Sequence, residues 1–333
     1  MQRRHFFGLA AGLAAPVVLP GHVLAQGAGQ NGAWPGRGSI RLVAQFPPGG
    51  LVDTISRLIA PPLSQALGQT VVVENRAGAG GVIGTDFVAK APADGYTFLV
   101  SHASVQVFST ATLPTLPFDP INDFTHLGML VEAPNVLIVK ASSPYRTLRD
   151  YIAAAKSKPV RYGSSGIGSA PHLLGVMLGA EAQTPNLDHV PYRGSAPAMQ
   201  DLMAGVIESM IDPITTNVAM LKDGTLRCLG VSSPQRLAQM PDIPTFAEQG
   251  FPKLTSSQWL GLSAPKGLPT PIAERMTALI PQLLETPALR QRCEELVTLP
   301  RKPTPLGADF VQIMREDIST WVGIARQFNI VQS

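Results

Sequence analysis

The chain has 333 residues, 45% of them hydrophobic and 15% charged, with a formal net charge of +3. That length suits two domains, and that apolar content supports a packed core rather than a disordered chain. No basic patch stands out, which excludes nucleic acid as an expected partner, and neither the two cysteines nor the six histidines show metal-ligand spacing.

Residues 1–25 read as a targeting segment. Arg3-Arg4 leads into an apolar run from Phe6 to Leu19, and Val23-Leu24-Ala25 supplies a small-x-Ala cleavage signal. Arg3-Arg4-His5-Phe6-Phe7 fits a twin-arginine signal as well as an ordinary secretory one. Both predict export to the periplasm with cleavage after Ala25. Pro16 and Pro20 interrupt the apolar run, and no later segment approaches the ~20 apolar residues of a membrane span. Residues 26–38, Gly-rich and polar, predict a flexible leader.

Strands and helices then alternate. Ile40–Phe46 predicts a strand, Pro47-Pro48-Gly49-Gly50 a turn, and Leu51–Leu67 a helix. Val71–Glu74 is the next expected strand, Val82–Ala91 a helix and Tyr96–Ser101 a strand, with a Pro-rich connection over Leu113–Asp123. Asn135–Lys140 reads as a buried strand and Thr147–Ser157 as a short helix. Val160–Tyr162, a small-residue turn over Gly163–Ser169 and a helix through Leu178 repeat the opening unit. Strands over Leu187–Tyr192, Ile207–Ile211, Leu226–Val231 and Ser257–Ala264 follow. Between them fall a helix at Ser195–Ala204 and another through Leu221. Pro271–Leu284, Pro287–Leu296 and Gly307–Phe328 close the chain as helices. The expectation is an α/β fold with a parallel-dominated sheet. Switches near 135–140 and 257–264 predict two hinged lobes, 39–134 with 258–333 and 135–257, joined by two crossings.

The repeated strand–turn–helix unit carries the chemistry. A helix N-terminus leaves N–H groups unpaired and partly positive, and small residues admit a ligand to them. Two such cradles predict two anion-binding half-sites on one ligand. Enzyme signatures fail. No Gly-x-Ser-x-Gly elbow occurs, and Ile83 stands where a dinucleotide fingerprint needs its third glycine. No catalytic residue, cofactor or metal is expected. His102 follows a strand end, so it either faces a cleft or is a neutral turn histidine; His172, near a helix N-terminus, reads as an uncharged packing neighbour. Asp53 reads as a carboxylate capping the first helix, and Ser195 as a helix cap, with or without a ligand contact. Asp212 ends a strand before Pro213, where it serves either the ligand or the turn. Cys228 and Cys293 are expected as free thiols.

The chain resembles the periplasmic substrate-binding proteins of tripartite tricarboxylate transporters, the Bug-type receptors, from about Ile40 to Ile330. The resemblance rests on Phe46-Pro47-Pro48-Gly49-Gly50, on Glu74-Asn75-Arg76-Ala77-Gly78-Ala79-Gly80-Gly81 and on Ala93-Asp94-Gly95-Tyr96. It also rests on Tyr162-Gly163-Ser164-Ser165-Gly166, on Val190-Pro191-Tyr192-Arg193-Gly194-Ser195 and on Pro241-Asp242-Ile243-Pro244-Thr245, all in this order. It implies a two-lobed type II periplasmic-binding fold and organic carboxylate ligands: di- or tricarboxylates, acidic amino acids or aromatic carboxylates. Carried onto this sequence, the binding loops are Pro48-Gly49-Gly50 and Ser164-Ser165 through Gly168-Ser169, with Ser101, His102, Ser195 and Asp212 lining the cleft. Ala77 and Leu51-Val52 depart from the family pattern, and the latter make the first rim more apolar. The implied partners are the membrane subunits of the transporter, served by a monomeric receptor. Alternatives are a ligand sensor for a signalling membrane protein and an exported hydrolase of small esters or amides.

Overall fold

The computed structural model describes residues 34–298 and 300–330. The expected signal segment 1–25, with its cleavage point at Ala25, lies outside the described residues, as does most of the leader. The leader's last part departs from expectation, because it is tied down. Trp34 donates its indole N–H to the Gly95 carbonyl at 2.9 Å, Gln69 donates to Pro35, and the Arg37 amide to the Tyr96 hydroxyl.

The first half of the sheet is a parallel α/β unit. β1 (Ile40–Ala44) lies between β2 (Val71–Asn75) and β3 (Thr97–His102), parallel to both. α1 (Leu51–Leu67) follows β1 and buries Ile55, Ile59, Leu63 and Leu67, one stripe at four-residue spacing, with Gly68 closing it in the left-handed conformation. α2 (Val82–Ala89) leads into β3. After β3 the chain makes one π-type turn at Ser104–Phe108 and a short α3 (Ser109–Thr112), a stretch to which the sequence pattern assigns no element.

β4 (Phe124–Lys140) is a single strand of 17 residues. Its first part, Phe124–Pro134, pairs with β9 (Ser257–Pro265); Asn135–Lys140 pairs with β7 (Ser209–Pro213) and β8 (Leu226–Val231). α4 (Leu148–Ser157) follows β4 and is closed by a reciprocal capping box between Thr147 and Asp150. β5 (Val160–Ser164), α5 (Ala170–Ala182), β6 (Leu187–Pro191) and α6 (Ser195–Ala204) build the second parallel unit, β5 lying parallel to β6 and β7. α7 (Val218–Lys222) precedes β8. The strand order is β2-β1-β3-β9-β4-β7-β5-β6, with β8 also on β4.

The fold is α/β and two-lobed, with β4 and β9 crossing between the parallel units. The parallel-dominated expectation needs correction: four pairings are parallel, and the four made by the crossing strands are antiparallel. α8 (Thr270–Leu284) and α9 (Pro287–Leu296) cover the first unit, where Met276 and Ile280 join Ile55 and Phe98 in its core. α10 (Gly307–Gln327) lies against both units, its Phe310, Met314 and Trp321 sharing a cluster with Tyr151 and Leu173. Both cysteines are free, and burial pushes the Cys228 thiol up to about 12, which makes it inert.

Gly84 shows how tightly α2 seats on the first unit. A Cβ there would fall 2.5 Å from the Arg76 carbonyl oxygen and 2.9 Å from the Gln45 Cα, both fixed backbone. Gly84→Ala is expected to lose about 1–3 kcal/mol in urea unfolding. An unchanged midpoint would show that this contact is not close.

Candidate functional site

A cleft of about 830 Å³ opens between the two units, within the range of roughly 300–1,000 Å³ of small-molecule sites. Its walls begin where parallel strands end, as ligand crevices of α/β sheets do. Phe46, Pro47, Pro48, Gly50, Leu51 and Val52 follow β1; His102 ends β3, and Ser104, Phe108, Ser109 and Leu113 follow it. Ala79 and Gly80 come from the segment after β2, and Val82 starts α2. Across the cleft, Ser165 to Pro171 follow β5, Ser195 follows β6, Pro213 ends β7, and Thr215 and Thr216 follow it. Ala133 and Gln258, on the crossing strands β4 and β9, form the floor. No Lys, Arg, Asp or Glu side chain lines the cleft among the described residues.

The second loop is held from behind by two neutral histidines. The Gly168 amide donates to His172 Nδ1 at 3.0 Å, and the His172 ring stacks on His189 with centroids 3.9 Å apart. His189 Nε2 lies 2.7 Å from the Ser164 hydroxyl. Burial pushes His172 down to about 4; burial, with the neighbouring His172, pushes His189 down to about 3. Ser169 caps α5: its hydroxyl accepts from the His172 amide at 3.3 Å and donates to the Gly166 carbonyl at 2.7 Å. The Ser165 hydroxyl, half-buried at the cleft surface, makes no side-chain hydrogen bond among the described residues.

The first loop is arranged differently. Gly49, at φ +88°, donates its amide to Asp53 Oδ2 at 2.9 Å. Arg57 and Asn75 bond the same carboxylate. Burial pushes Asp53 up, yet hydrogen bonds from Arg57, the Gly49 amide and Asn75 outweigh it and hold the group below the usual carboxylate range. An ionised carboxylate therefore already occupies the start of α1, while α5 and α6 carry no acid in their first turns.

Asp212 is fully buried at the end of β7 and accepts hydrogen bonds from the Ser195 hydroxyl at 2.5 Å, the Thr216 hydroxyl and the Asn217 amide at 3.0 Å. Burial pushes its carboxyl up, against the pull of those three donors. Ser195 and Thr216 spend their protons on Asp212, and the Thr216 hydroxyl also accepts from the Asn217 side-chain amide at 2.9 Å. Gly194, not Ser195, is the cap of α6; Ser195 is its first helical residue.

Seven of the eleven residues singled out from the sequence meet at the cleft surface: Pro48, Gly50, His102, Ser165, Gly168, Ser169 and Ser195. Four do not. Gly49 turns its amide to Asp53, Ser101 is fully buried against the Ser263 hydroxyl, Ser164 faces His189, and Asp212 lies beneath Ser195. Strand alternation explains Ser101 and Ser164, since neighbours on a strand face opposite sides. The open alternatives for His102 are both met: it lines the cleft, its Nδ1 accepts from the Ser104 amide at 3.1 Å, and burial pushes it down to about 4. Sequence reasoning missed Phe46, Val82, Phe108 and Leu113, apolar residues indistinguishable there from core, and also Thr216, whose spacing four residues past Asp212 was the available signal.

This is the geometry of a periplasmic binding protein: two α/β lobes, two crossing strands and a cleft walled by strand-end loops. The model of the tripartite tricarboxylate transporter family receptor matches residues 55–329, and the chain belongs to that family. Protein BugT of Bordetella pertussis is 33% identical over 321 residues, 95% of this chain and 93% of that protein. An R. palustris protein solved with adipate superposes with a TM-score of 0.78 at 31% identity, covering 90% of this chain and 99% of that one. MatC of Rhodopseudomonas palustris, solved with malate, gives 0.74 at 30% identity, covering 87% and 99%.

Proposed function

We propose that this periplasmic solute-binding receptor captures a small organic carboxylate in the interlobe cleft. It then presents the acid, as a monomer and without turnover, to the membrane subunits of a tripartite tricarboxylate-type transporter. The observation that carries this reading is a cleft whose second wall offers the starts of α5 and α6 and a free Ser165 hydroxyl, with no charged side chain. Backbone donors of this kind bind a carboxylate without a cationic side chain. The adipate and malate bound by two solved relatives support the ligand class. Export with cleavage after Ala25 completes the reading.

Closure would carry the lobes, 39–134 with 258–333 and 135–257, toward one another about β4 and β9. Ser165 would meet the carboxylate beside Gly168 and Ser169, which shape the loop; Pro48, Gly50, His102 and Ser195 would surround the rest; Gly49, Ser101, Ser164 and Asp212 would hold these in place. Ser164 and His189 form the hydroxyl–imidazole pair that a hydrolase would use, but Ser164 is fully buried and bonded within its own loop. That arrangement favours binding over catalysis.

A thermal-shift series over C4–C8 carboxylates at neutral pH tests the function. A true ligand at a hundredfold excess over Kd is expected to stabilise the protein by about 2.7 kcal/mol. A shift with sugars or cations and none with any carboxylate would overturn the reading.

A further inference from the structure

The two walls of the cleft differ in kind. The wall from the second lobe carries the hydroxyls of Ser165, Ser169, Ser195 and Thr216 beside Ile167 and Pro171, backed by the starts of α5 and α6. The wall from the first lobe carries the large apolar side chains, Phe46, Leu51, Val52, Val82, Phe108 and Leu113, with His102, Ser104 and Ser109 among them. Among the described residues, most polar side-chain groups on that side are already engaged, His102 Nε2 excepted. Ser109 donates to the Ser104 carbonyl, Ser104 bonds His102 Nδ1, and Asp53 sits at the start of α1, bonded to the Gly49 amide. Arg57 offsets the Asp53 charge, but it approaches from the exposed side, with 55% of its side chain in solvent.

A carboxylate pressed against this wall would lose its hydration and find no free cationic partner, which is costly. An apolar body there would gain roughly 25 cal/mol for each Å² removed from water. Granted the carboxylate reading above, we propose that the preferred ligand is a monocarboxylate with an apolar ring or chain. Its carboxylate rests on the second lobe at Ser165–Ser169, and its body rests on Phe46, Leu51, Val82 and Phe108. The repeated cradles are then unequal: one holds the charge and the other the hydrocarbon.

Matched acids separate this from a symmetric diacid site. Calorimetric titration of the full-length mature protein would compare hexanoate with adipate, and benzoate with benzene-1,4-dicarboxylate, each pair differing by one carboxylate. The monoacid of each pair is expected to bind at least tenfold tighter, and hexanamide at least tenfold weaker than hexanoate. Leu51→Asn, at a half-buried position, is expected to weaken hexanoate about tenfold and narrow its advantage over adipate. Adipate, the benzenedicarboxylate or citrate binding as tightly as the monoacids would overturn the inference while leaving the carboxylate reading intact. Hexanamide binding as well as hexanoate, or no acid binding at all, would overturn both.

Discussion

Asp212→Ala is expected to lower the unfolding free energy by about 3–5 kcal/mol and to abolish stabilisation by ligand. The carboxylate is fully buried and gathers donors from three residues, Ser195, Thr216 and Asn217. Alanine leaves the buried Asn217 amide without this acceptor and frees the two hydroxyls that border the cleft. Asp212→Asn separates the two effects. It keeps the volume, yet turns one acceptor into a donor facing donors, so Ser195 or Thr216 must reverse its hydroxyl. A smaller stability loss with binding retained or tightened is expected, because the reversed hydroxyl is free to donate to an anionic ligand, read from urea unfolding and hexanoate titration. At least tenfold weaker binding in D212N would show that the ligand depends on the Asp212 carboxylate holding these hydroxyls as donors to itself.

Acid is expected to unfold this protein earlier than its carboxylates alone would dictate. Burial pushes His102, His126 and His172 down to about 4 and His189 to about 3. Unfolded, each returns to an ordinary value near 6.5. Above pH 6.5 all four are neutral in both states and cost nothing. Between about pH 6.5 and 4 the unfolded chain takes up protons that the folded one refuses, so stability falls as pH falls through this window, and the effect levels off below it. Asp317, pushed up to about 6 by burial, works in the opposite sense between its unfolded value and 6, and so does Asp212, which burial also raises. The four histidines outnumber the two acids, so unfolding takes up protons on balance, and each unbalanced proton steepens the fall by about 1.4 kcal/mol per pH unit. Circular-dichroism melts from pH 7 to 4.5 would read this as a steep fall in Tm, and His126→Gln is expected to reduce the slope by about one proton. A flat profile over that range would mean the histidines are not held neutral.

Helices with clear punctuation were legible in the sequence. Leu51–Leu67 is bounded by Gly50 and Gly68, and Ser195–Ala204 ends at Gly205; both match residue for residue. The strand Phe124–Pro134 was not legible, because a crossing strand packed on both faces shows no polar alternation and here carries Gly128, Glu132 and Pro134. The polar wall of the cleft could be read from Ser165, Gly168 and Ser169, since small residues before a helix have a distinct local chemistry. The apolar wall could not. Leu51 and Phe108 differ from core residues only in what lies opposite them, and that depends on the tertiary fold. The neutral pair His172–His189 joins α5 to β6, a contact that no local pattern encodes.

The uncharged cleft surface has a consequence for where such a receptor can work. Attraction between full charges is screened over about 30 Å in 0.01 M salt but over only about 3 Å in 1 M salt. Fixed amide dipoles act at contact, inside any such screening length, and an apolar wall acts through displaced water. Capture by these means is indifferent to salinity. A receptor facing a medium whose ionic strength the cell does not control would then harvest its acid equally well from dilute and from saline surroundings.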